Sequence, residues 1–192
     1  AAGQYTVCLA GCGRTADEAT AEEMRALLAA AKGTFVLDAG GLSAIGTAVE
    51  ALAPRAGRLV VTPHPGEMAR LAGISVAQVL QMPADVALGF ARKTGAVTVL
   101  KGHRTLVATP DGRLYRNTTG NAGLARGGSG DILAGMVAGL AAQGLSPEAA
   151  AVCGVWLHGA AADVCAARHS MQGMLPEDIL QGLCAVFLEN GR

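Results

Sequence analysis

The sequence has no excess of charge of either sign, because 15 Lys and Arg residues balance 15 Asp and Glu residues among its 192 residues. This balance argues against a broad electrostatic attraction to nucleic acid or to an anionic membrane, so any anion site has to be local. Charged residues make up only 16% of the chain and hydrophobic residues 51%, which is a globular composition and not a disordered one. We therefore expect a folded protein with neither nucleic acid nor a membrane as its partner.

Closely spaced cysteines are also missing. The five cysteines, at positions 8, 12, 153, 165 and 184, include no CxxC pair. Structural zinc sites and disulfide frameworks usually show tighter spacing, so neither is indicated and we predict no metal ligands. We expect reduced, mostly buried thiols in a cytoplasmic protein, although the glycine-rich turn around Cys12 also permits a reactive thiol.

No charged-then-apolar leader opens the chain, and its most apolar stretch, at 149–167, is interrupted by His158 and Asp163. We expect a core helix there rather than a membrane span, and we assign His158, Asp163 and Trp156 to the core. The length suits a single domain over residues 1–192. Because a strand pattern begins almost at the first residue, we expect this domain to be a fragment or a trimmed form.

Short apolar runs alternate with longer helical stretches, which predicts an α/β fold with a mainly parallel sheet flanked by helices. The predicted strands lie at 5–10, 35–37, 58–61 and 97–100, followed by a hairpin of 105–108 and 113–115 around Pro110-Asp111-Gly112. The predicted helices lie near 20–31, 42–53, 75–81, 84–94, 131–143, 147–167 and 176–189. Core candidates are Val7, Leu9, Val36, Leu37, Val60, Val99, Leu133, Val137, Val155 and Leu157.

Glycine, charge or both follow each of the first four predicted strands. In an open parallel sheet, ligands bind beyond the carboxyl ends of the strands. Taken singly, Asp38 can cap a helix, His64 can brace a turn, and Lys101 can be a solvated charge. Taken together, they predict one crevice, where two prolines delay the next helix and hold His64 and Glu67 at the sheet edge. The four segments are Gly11-Cys12-Gly13, 38–41, 62–67 and 101–104.

A glycine-rich loop at 121–131 precedes an apolar helix and ends in Gly127-Gly128-Ser129-Gly130-Asp131. Backbone N–H groups and the helix dipole at such a junction can hold a phosphoryl group. Asp131 can simply stabilise the first helical turn, but beside a phosphate it can also accept a proton from an attacking hydroxyl. We favour the second role. Arg126 can equally face the phosphates or solvent.

Segments 121–131, 62–67 and 101–105, with Leu157-His158-Gly159, resemble the ADP/ATP-dependent NAD(P)H-hydrate dehydratase family of the ribokinase-like superfamily. The resemblance runs from about Val7 to the C-terminus. It implies a three-layer ribokinase-like fold, N-terminally truncated because a further βα segment usually precedes this region. It also implies that ADP or ATP phosphorylates the hydroxyl of hydrated NADH or NADPH, and that loss of phosphate restores the nicotinamide ring.

The resemblance also implies roles for individual residues. Asp131 is then the catalytic base, which also contacts the substrate hydroxyl. The nucleotide and its phosphates are bound by Lys101, Gly102, His103, Arg104, Thr105, Gly127, Gly128, Ser129 and Gly130. The substrate is bound by Gly11, Gly13, His64 and Glu67. Mg²⁺ accompanies the nucleotide, and a homo-oligomer, in the family often a tetramer, is expected.

Two alternatives stay open at this stage. The glycine loop fits a small-molecule kinase of the same superfamily equally well, for example a hydroxymethylpyrimidine or thiazole kinase. The chain also departs from the family at Gly11-Cys12-Gly13-Arg14-Thr15, where Gly-Pro-Gly-Leu-Gly is usual, at 121–126, where Asn-Pro-Gly-Met-Ala-Thr is usual, and at Gly40, often acidic in the family. These departures leave a non-catalytic nucleotide-binding module as the second alternative.

Overall fold

The computed structural model describes residues 2–190, in which six strands form one mixed sheet with strand order equal to chain order. The first four strands are parallel, and a hairpin adds the last two in antiparallel orientation. The strands are β1 Val7–Ala10, β2 Thr34–Leu37, β3 Leu59–Val61, β4 Val97–Leu100, β5 Leu106–Ala108 and β6 Leu114–Arg116. The predicted α/β fold with a mainly parallel sheet is therefore confirmed.

Eight α-helices flank the sheet in the described residues. They are α1 Glu18–Ala30, α2 Ala39–Ile45, α3 Pro65–Ala72, α4 Val76–Gln81, α5 Pro83–Thr94, α6 Ser129–Ala142, α7 Pro147–Gly173 and α8 Asp178–Asn190. The single helix predicted near 42–53 is wrong. Helix α2 ends at Ile45, because the next residue, Gly46, has a φ of 53° that a helix cannot continue, and a 3₁₀ helix, Val49–Arg55, follows. Residues 62–64 separate β3 from α3, as the two prolines predicted, but Pro65 itself is the first residue of α3, where its fixed φ favours helix initiation.

Hydrophobic cores lie on both faces of the sheet, and β2 shows how one strand serves both. Phe35 and Leu37 belong to the core shared with α1–α5, whereas Val36 belongs to the core shared with α6 and α7. Successive side chains of a strand point to opposite faces, so a strand covered on both sides is apolar at every position. This arrangement gives three layers and leaves the strand ends as the open edge of the sheet.

Most of the predicted core residues are buried, with exceptions on two elements. Leu9 is 39% exposed because β1 is an edge strand of the described sheet, so its assignment to the core is wrong. Trp156 is 41% exposed on the outer side of α7, and that assignment is wrong as well. Val7 and Leu157 are partly buried.

Helix α7 is long and apolar enough to cross a membrane by length and composition. Half of its most apolar window is buried inside the fold, where α7 packs between α6 and α8. A core helix passes the same test of length and composition, and this packing is that of a core helix. Helix α7 extends beyond the predicted end at residue 167, to Gly173, with a kink at Ser170, whose φ is 62°.

Candidate active site

The ends of β2 and β4 are joined by an ion pair at the open edge of the sheet. Lys101 Nζ lies 2.9 Å from Asp38 Oδ1, and the side chains of Lys101 and Asp38 are 21% and 1% exposed. Asp38 stands at the N-cap position of α2, yet its side chain makes no capping hydrogen bond. Asp38 is therefore not a side-chain helix cap, and Lys101 is not a fully solvated charge. Instead, the two residues form a pair that buries a carboxylate beside the strand ends.

The glycine loop lies directly against this ion pair. A Cβ atom added to Gly130 would lie 3.2 Å from Lys101 Nζ and 3.8 Å from Asp38 Oδ2. Gly128, with a φ of 91°, turns the chain into α6, which begins at Ser129. The first amides of a helix have no carbonyl partner within it, and the dipole makes this end partly positive. The loop, the helix end and the Lys101 ammonium thus converge on one place that suits an anion.

Asp131 lies in the first turn of α6, exposed at the same edge. One carboxylate oxygen of Asp131, one of Asp38 and the Cys12 sulfur all lie within 4.8 Å of one another. The carboxylate is therefore beside the anion-binding position and faces a cavity. This placement is the one that proton transfer from a bound hydroxyl requires.

The cavity has a volume of about 700 Å³, which is in the range of small-molecule sites. Most of the predicted site residues line it: His64, Glu67, Lys101, Gly102, His103, Thr105, Gly127, Gly128, Ser129, Gly130 and Asp131. Arg104 does not line it and is exposed. Gly11 and Gly13 are also absent from its wall. A Cβ atom on Gly11 would lie 2.0 Å from the Asp38 carbonyl oxygen, so close strand packing accounts for that glycine.

His64 and Glu67 form a capping box at the start of α3. His64 Nδ1 accepts hydrogen bonds from the amides of Gly66 and Glu67, at 3.0 and 3.3 Å. Glu67 Oε2 accepts from the His64 amide at 2.9 Å. Burial raises the pKa of Glu67, against the hydrogen bond from the His64 amide and the positive charge of Lys101. His64 thus braces a turn and lines the cavity at the same time.

His158, on α7, is buried as predicted and also lines the cavity. Burial lowers the pKa of His158 to about 4, against a hydrogen bond with the Ser129 backbone. Its Nε2 atom is buried and has no hydrogen-bond partner among the described residues. A neutral imidazole therefore stands behind the glycine loop at physiological pH.

This burial predicts a pH dependence of folding. The unfolded chain protonates His158 near its ordinary pKa of 6.5, whereas the folded chain does so only near 4. Because the unfolded state binds the extra proton between these values, stability falls as pH decreases through that window, by up to about 1.4 kcal/mol per pH unit. We expect His158→Gln to flatten this part of the stability–pH curve in urea unfolding. His169→Gln, at an exposed position on the same helix, should leave the curve as it is.

The assignment of Asp163 to the core is wrong. Asp163 is exposed, and its carboxylate accepts hydrogen bonds from the Gly120 amide at 2.8 Å and from Asn121 Nδ2 at 2.9 Å. These bonds fasten the segment after β6 to α7. That segment forms a cavity wall which sequence reasoning missed, although the polar run 117–121 after a strand is a signal that points to it. Arg126, within the loop, lines the cavity and donates a hydrogen bond to the Gln172 carbonyl.

None of the five cysteines forms a disulfide, but the expectation that most are buried is wrong. Cys165 is buried, Cys8 and Cys12 are intermediate, and Cys153 and Cys184 are exposed on the outer sides of α7 and α8. Burial is the main cause that raises the pKa of the Cys12 thiol to about 12, followed by its hydrogen bond with Asp131. Cys12 therefore carries its proton at neutral pH and is not an activated nucleophile.

Comparisons with known proteins show which family the chain is similar to. The family model described as NAD(P)H-hydrate dehydratase matches residues 1–184. The chain is 45% identical over 180 residues to the bifunctional NAD(P)H-hydrate repair enzyme of Moorella thermoacetica, covering 94% of this chain and 34% of that protein. It is 50% identical over 131 residues to the ADP-dependent (S)-NAD(P)H-hydrate dehydratase of Neisseria meningitidis serogroup B, covering 67% and 44%. The chain thus spans less than half the length of these two relatives.

A solved structure shows the same fold. The ADP/ATP-dependent NAD(P)H-hydrate dehydratase of Bacillus subtilis, co-crystallized with ATP and Mg²⁺, superposes with a TM-score of 0.83 at 31% identity. The superposition covers 96% of this chain and 64% of that one. The pyridoxal kinase of Staphylococcus aureus with ADP, at 19% identity and a TM-score of 0.62, shares the fold alone. From the family match and these identities, the chain belongs to the NAD(P)H-hydrate dehydratase family, within the ribokinase-like fold.

Proposed function

We propose that this chain carries out the nucleotide-dependent dehydration of hydrated NADH and NADPH, a metabolite-repair reaction. The observation that supports this function is the position of Asp131, exposed beside the glycine loop and the Lys101 ammonium at the edge of a cavity of about 700 Å³. In this proposal the loop amides and Lys101 hold the phosphoryl group. Asp131 accepts the proton of the substrate hydroxyl as that oxygen attacks phosphorus.

The nucleotide donor is ADP or ATP in this proposal, bound by Lys101, Gly102, His103 and Thr105 on one side of the loop. Arg104, exposed outside the cavity wall, is left to contact the nucleotide only at its rim. Mg²⁺ would neutralise phosphate charge when bound with the nucleotide.

The substrate is held in this proposal by His64 and Glu67, with the glycine turn at Gly11 and Gly13 behind Asp38. The capping box supports the role of His64 and Glu67. Three hydrogen bonds between His64 and the first turn of α3 hold His64 in place beside the cavity. Gly11 contributes by allowing the close approach of β1 to Asp38 rather than by lining the cavity. Truncation of His64 is then expected to affect substrate binding more than nucleotide binding.

We further propose that residues 1–192 form one domain and that the protein works in the cytoplasm as a homo-oligomer such as a tetramer. In this proposal it binds neither nucleic acid nor a membrane. Helix α8 supports self-association because it leaves three large apolar side chains exposed: Leu180, Phe187 and Leu188.

A turnover assay tests the function. Hydrated NADH is incubated with the chain, Mg²⁺ and either ADP or ATP, and the returning absorbance of NADH is followed. We expect recovery that depends on the nucleotide and on the amount of protein. The absence of turnover with both nucleotides would overturn the proposal. A stable phosphorylated product from a panel of hydroxymethylpyrimidines, thiazole alcohols or sugars would favour a kinase instead.

A further inference from the structure

The cluster of Cys12, Asp38 and Asp131 has a composition that phosphoryl transfer alone does not require. One ligand atom of each residue lies within 4.8 Å of the other two. A thiol and two carboxylates this close offer one sulfur and two oxygen ligands at a single place, although the Lys101 ammonium and the Cys12 S–H group already offset part of the repulsion between the carboxylates.

Asp38 carries an independent sign that something further binds here. Its side chain is 1% exposed, and Lys101 Nζ contacts only one of its oxygens, Oδ1, at 2.9 Å. The other oxygen, Oδ2, is buried and accepts no hydrogen bond from the described residues. It points towards the glycine loop, since a Cβ atom on Gly130 would lie 3.8 Å from it. An unsatisfied carboxylate oxygen is costly to bury, and a cation ligand would satisfy it.

We propose that Cys12, Asp38 and Asp131 form a binding site for Zn²⁺. Zinc takes thiolate sulfur at about 2.3 Å and carboxylate oxygen at about 2.0–2.2 Å, usually with four ligands. The protein supplies three ligands, and the fourth position faces the cavity. Side-chain rotations that draw the three atoms together by about 1 Å complete this geometry.

The thiol determines which cation the site prefers. Mg²⁺ requires oxygen ligands in octahedral geometry, whereas thiolate selects softer ions such as Zn²⁺. On binding, the Cys12 S–H bond breaks, the sulfur electron pair forms the bond to zinc, and the proton leaves to solvent. Mg²⁺ carried by nucleotide phosphates therefore does not compete effectively at the sulfur.

Zinc binding has a consequence for the reaction, and this consequence alone rests on the proposed function. A zinc-bound Asp131 is a poorer acceptor for the proton of the substrate hydroxyl, because Zn²⁺ withdraws electron density from the carboxylate. Zn²⁺ is then an inhibitor of turnover, and chelation of zinc reverses the inhibition. Binding itself is independent of any activity.

Cobalt titration of the whole chain tests the site, because Co²⁺ replaces Zn²⁺ and a thiolate–Co²⁺ bond gives a charge-transfer band in the near ultraviolet. We expect this band in the wild type, its loss on adding Zn²⁺, and its persistence in excess Mg²⁺. Cys12→Ser keeps the size and the hydrogen-bond donor but should abolish the band. It should also weaken zinc binding, measured by competition with a chelator, by at least about tenfold.

Variants at the exposed cysteines provide the matched controls. Cys153→Ala and Cys184→Ala should keep both the band and the zinc affinity. Circular dichroism verifies folding, and Cys12→Ala serves as a second variant if Cys12→Ser does not fold. The proposal is overturned if the wild type shows no band, if the band survives in the Cys12 variants, or if zinc affinity is the same in all of them. A chain without turnover that still binds cobalt through Cys12 would contradict the proposed function alone.

Discussion

Asp131→Ala should lower the rate of turnover on the order of a hundredfold or more, with little change in nucleotide affinity. The physical reason is that Asp131 faces the cavity beside the glycine loop, where it can accept a proton as the hydroxyl attacks phosphorus. The loop amides and Lys101, which hold the phosphates, remain in place. Steady-state kinetics and a nucleotide-binding isotherm on the same preparations measure both quantities.

A matched control separates catalysis from helix stabilisation. Asp85 occupies the first turn of α5, as Asp131 occupies the first turn of α6. Each carboxylate stabilises its helix by about 0.3–1 kcal/mol through the helix dipole. Asp131→Ala and Asp85→Ala should therefore lower stability by similar amounts, while only the first lowers turnover on the order of a hundredfold or more. Equal rates in the two variants would reduce Asp131 to a helix-capping role.

Lys101→Met should destabilise the folded chain strongly, by about 3 kcal/mol. The substitution leaves the Asp38 carboxylate, 1% exposed, without its partner ammonium at 2.9 Å. The double variant Asp38→Asn with Lys101→Met should recover most of the loss, because no buried charge remains unpaired. Urea unfolding of the single and double variants measures the coupling.

The exposed ion pair of Arg113 and Asp111 provides the comparison for this prediction. Its side chains are 56% and 57% exposed. Arg113 also pairs with Glu148, which is 22% exposed, but the guanidinium itself is accessible to solvent, which screens both attractions. Arg113→Met should therefore change stability much less than Lys101→Met. If Lys101→Met costs no more than Arg113→Met, the strand-end ion pair does not hold the site together. In that case Lys101 acts only as a phosphate ligand.

Local patterns in the sequence predicted most of the fold, because burial on both faces makes the strands continuous apolar runs. Neighbouring residues in the chain were enough to predict the strands at 35–37 and 97–100 and the turn at 110–112. Errors arose where tertiary context decides. Leu9 is exposed because its strand lies at an edge, and the helix predicted near 42–53 is interrupted by the positive φ of Gly46.

The site was predictable in its parts but not in its contacts. The rule that ligands bind at the carboxyl ends of parallel strands predicted that Asp38, His64 and Lys101 lie at one edge, and the glycine loop separately pointed to Asp131. The ion pair between Asp38 and Lys101 joins residues 63 positions apart, and sequence spacing does not reveal such a pair. The nearness of Cys12 to Asp131 likewise requires α6 to pack against β1, which only the assembled fold shows.

In the proposed reaction the substrate hydroxyl becomes phosphorylated at the start of α6, and an isotope measurement tests this step most directly. Hydrated NADH that carries a heavy oxygen isotope in its hydroxyl is turned over with ADP or ATP, and the inorganic phosphate is analysed by mass. We predict that the heavy oxygen appears in the phosphate, because the attacking hydroxyl oxygen leaves with phosphorus. Heavy oxygen found in water, with none in the phosphate, would contradict phosphoryl transfer to that hydroxyl.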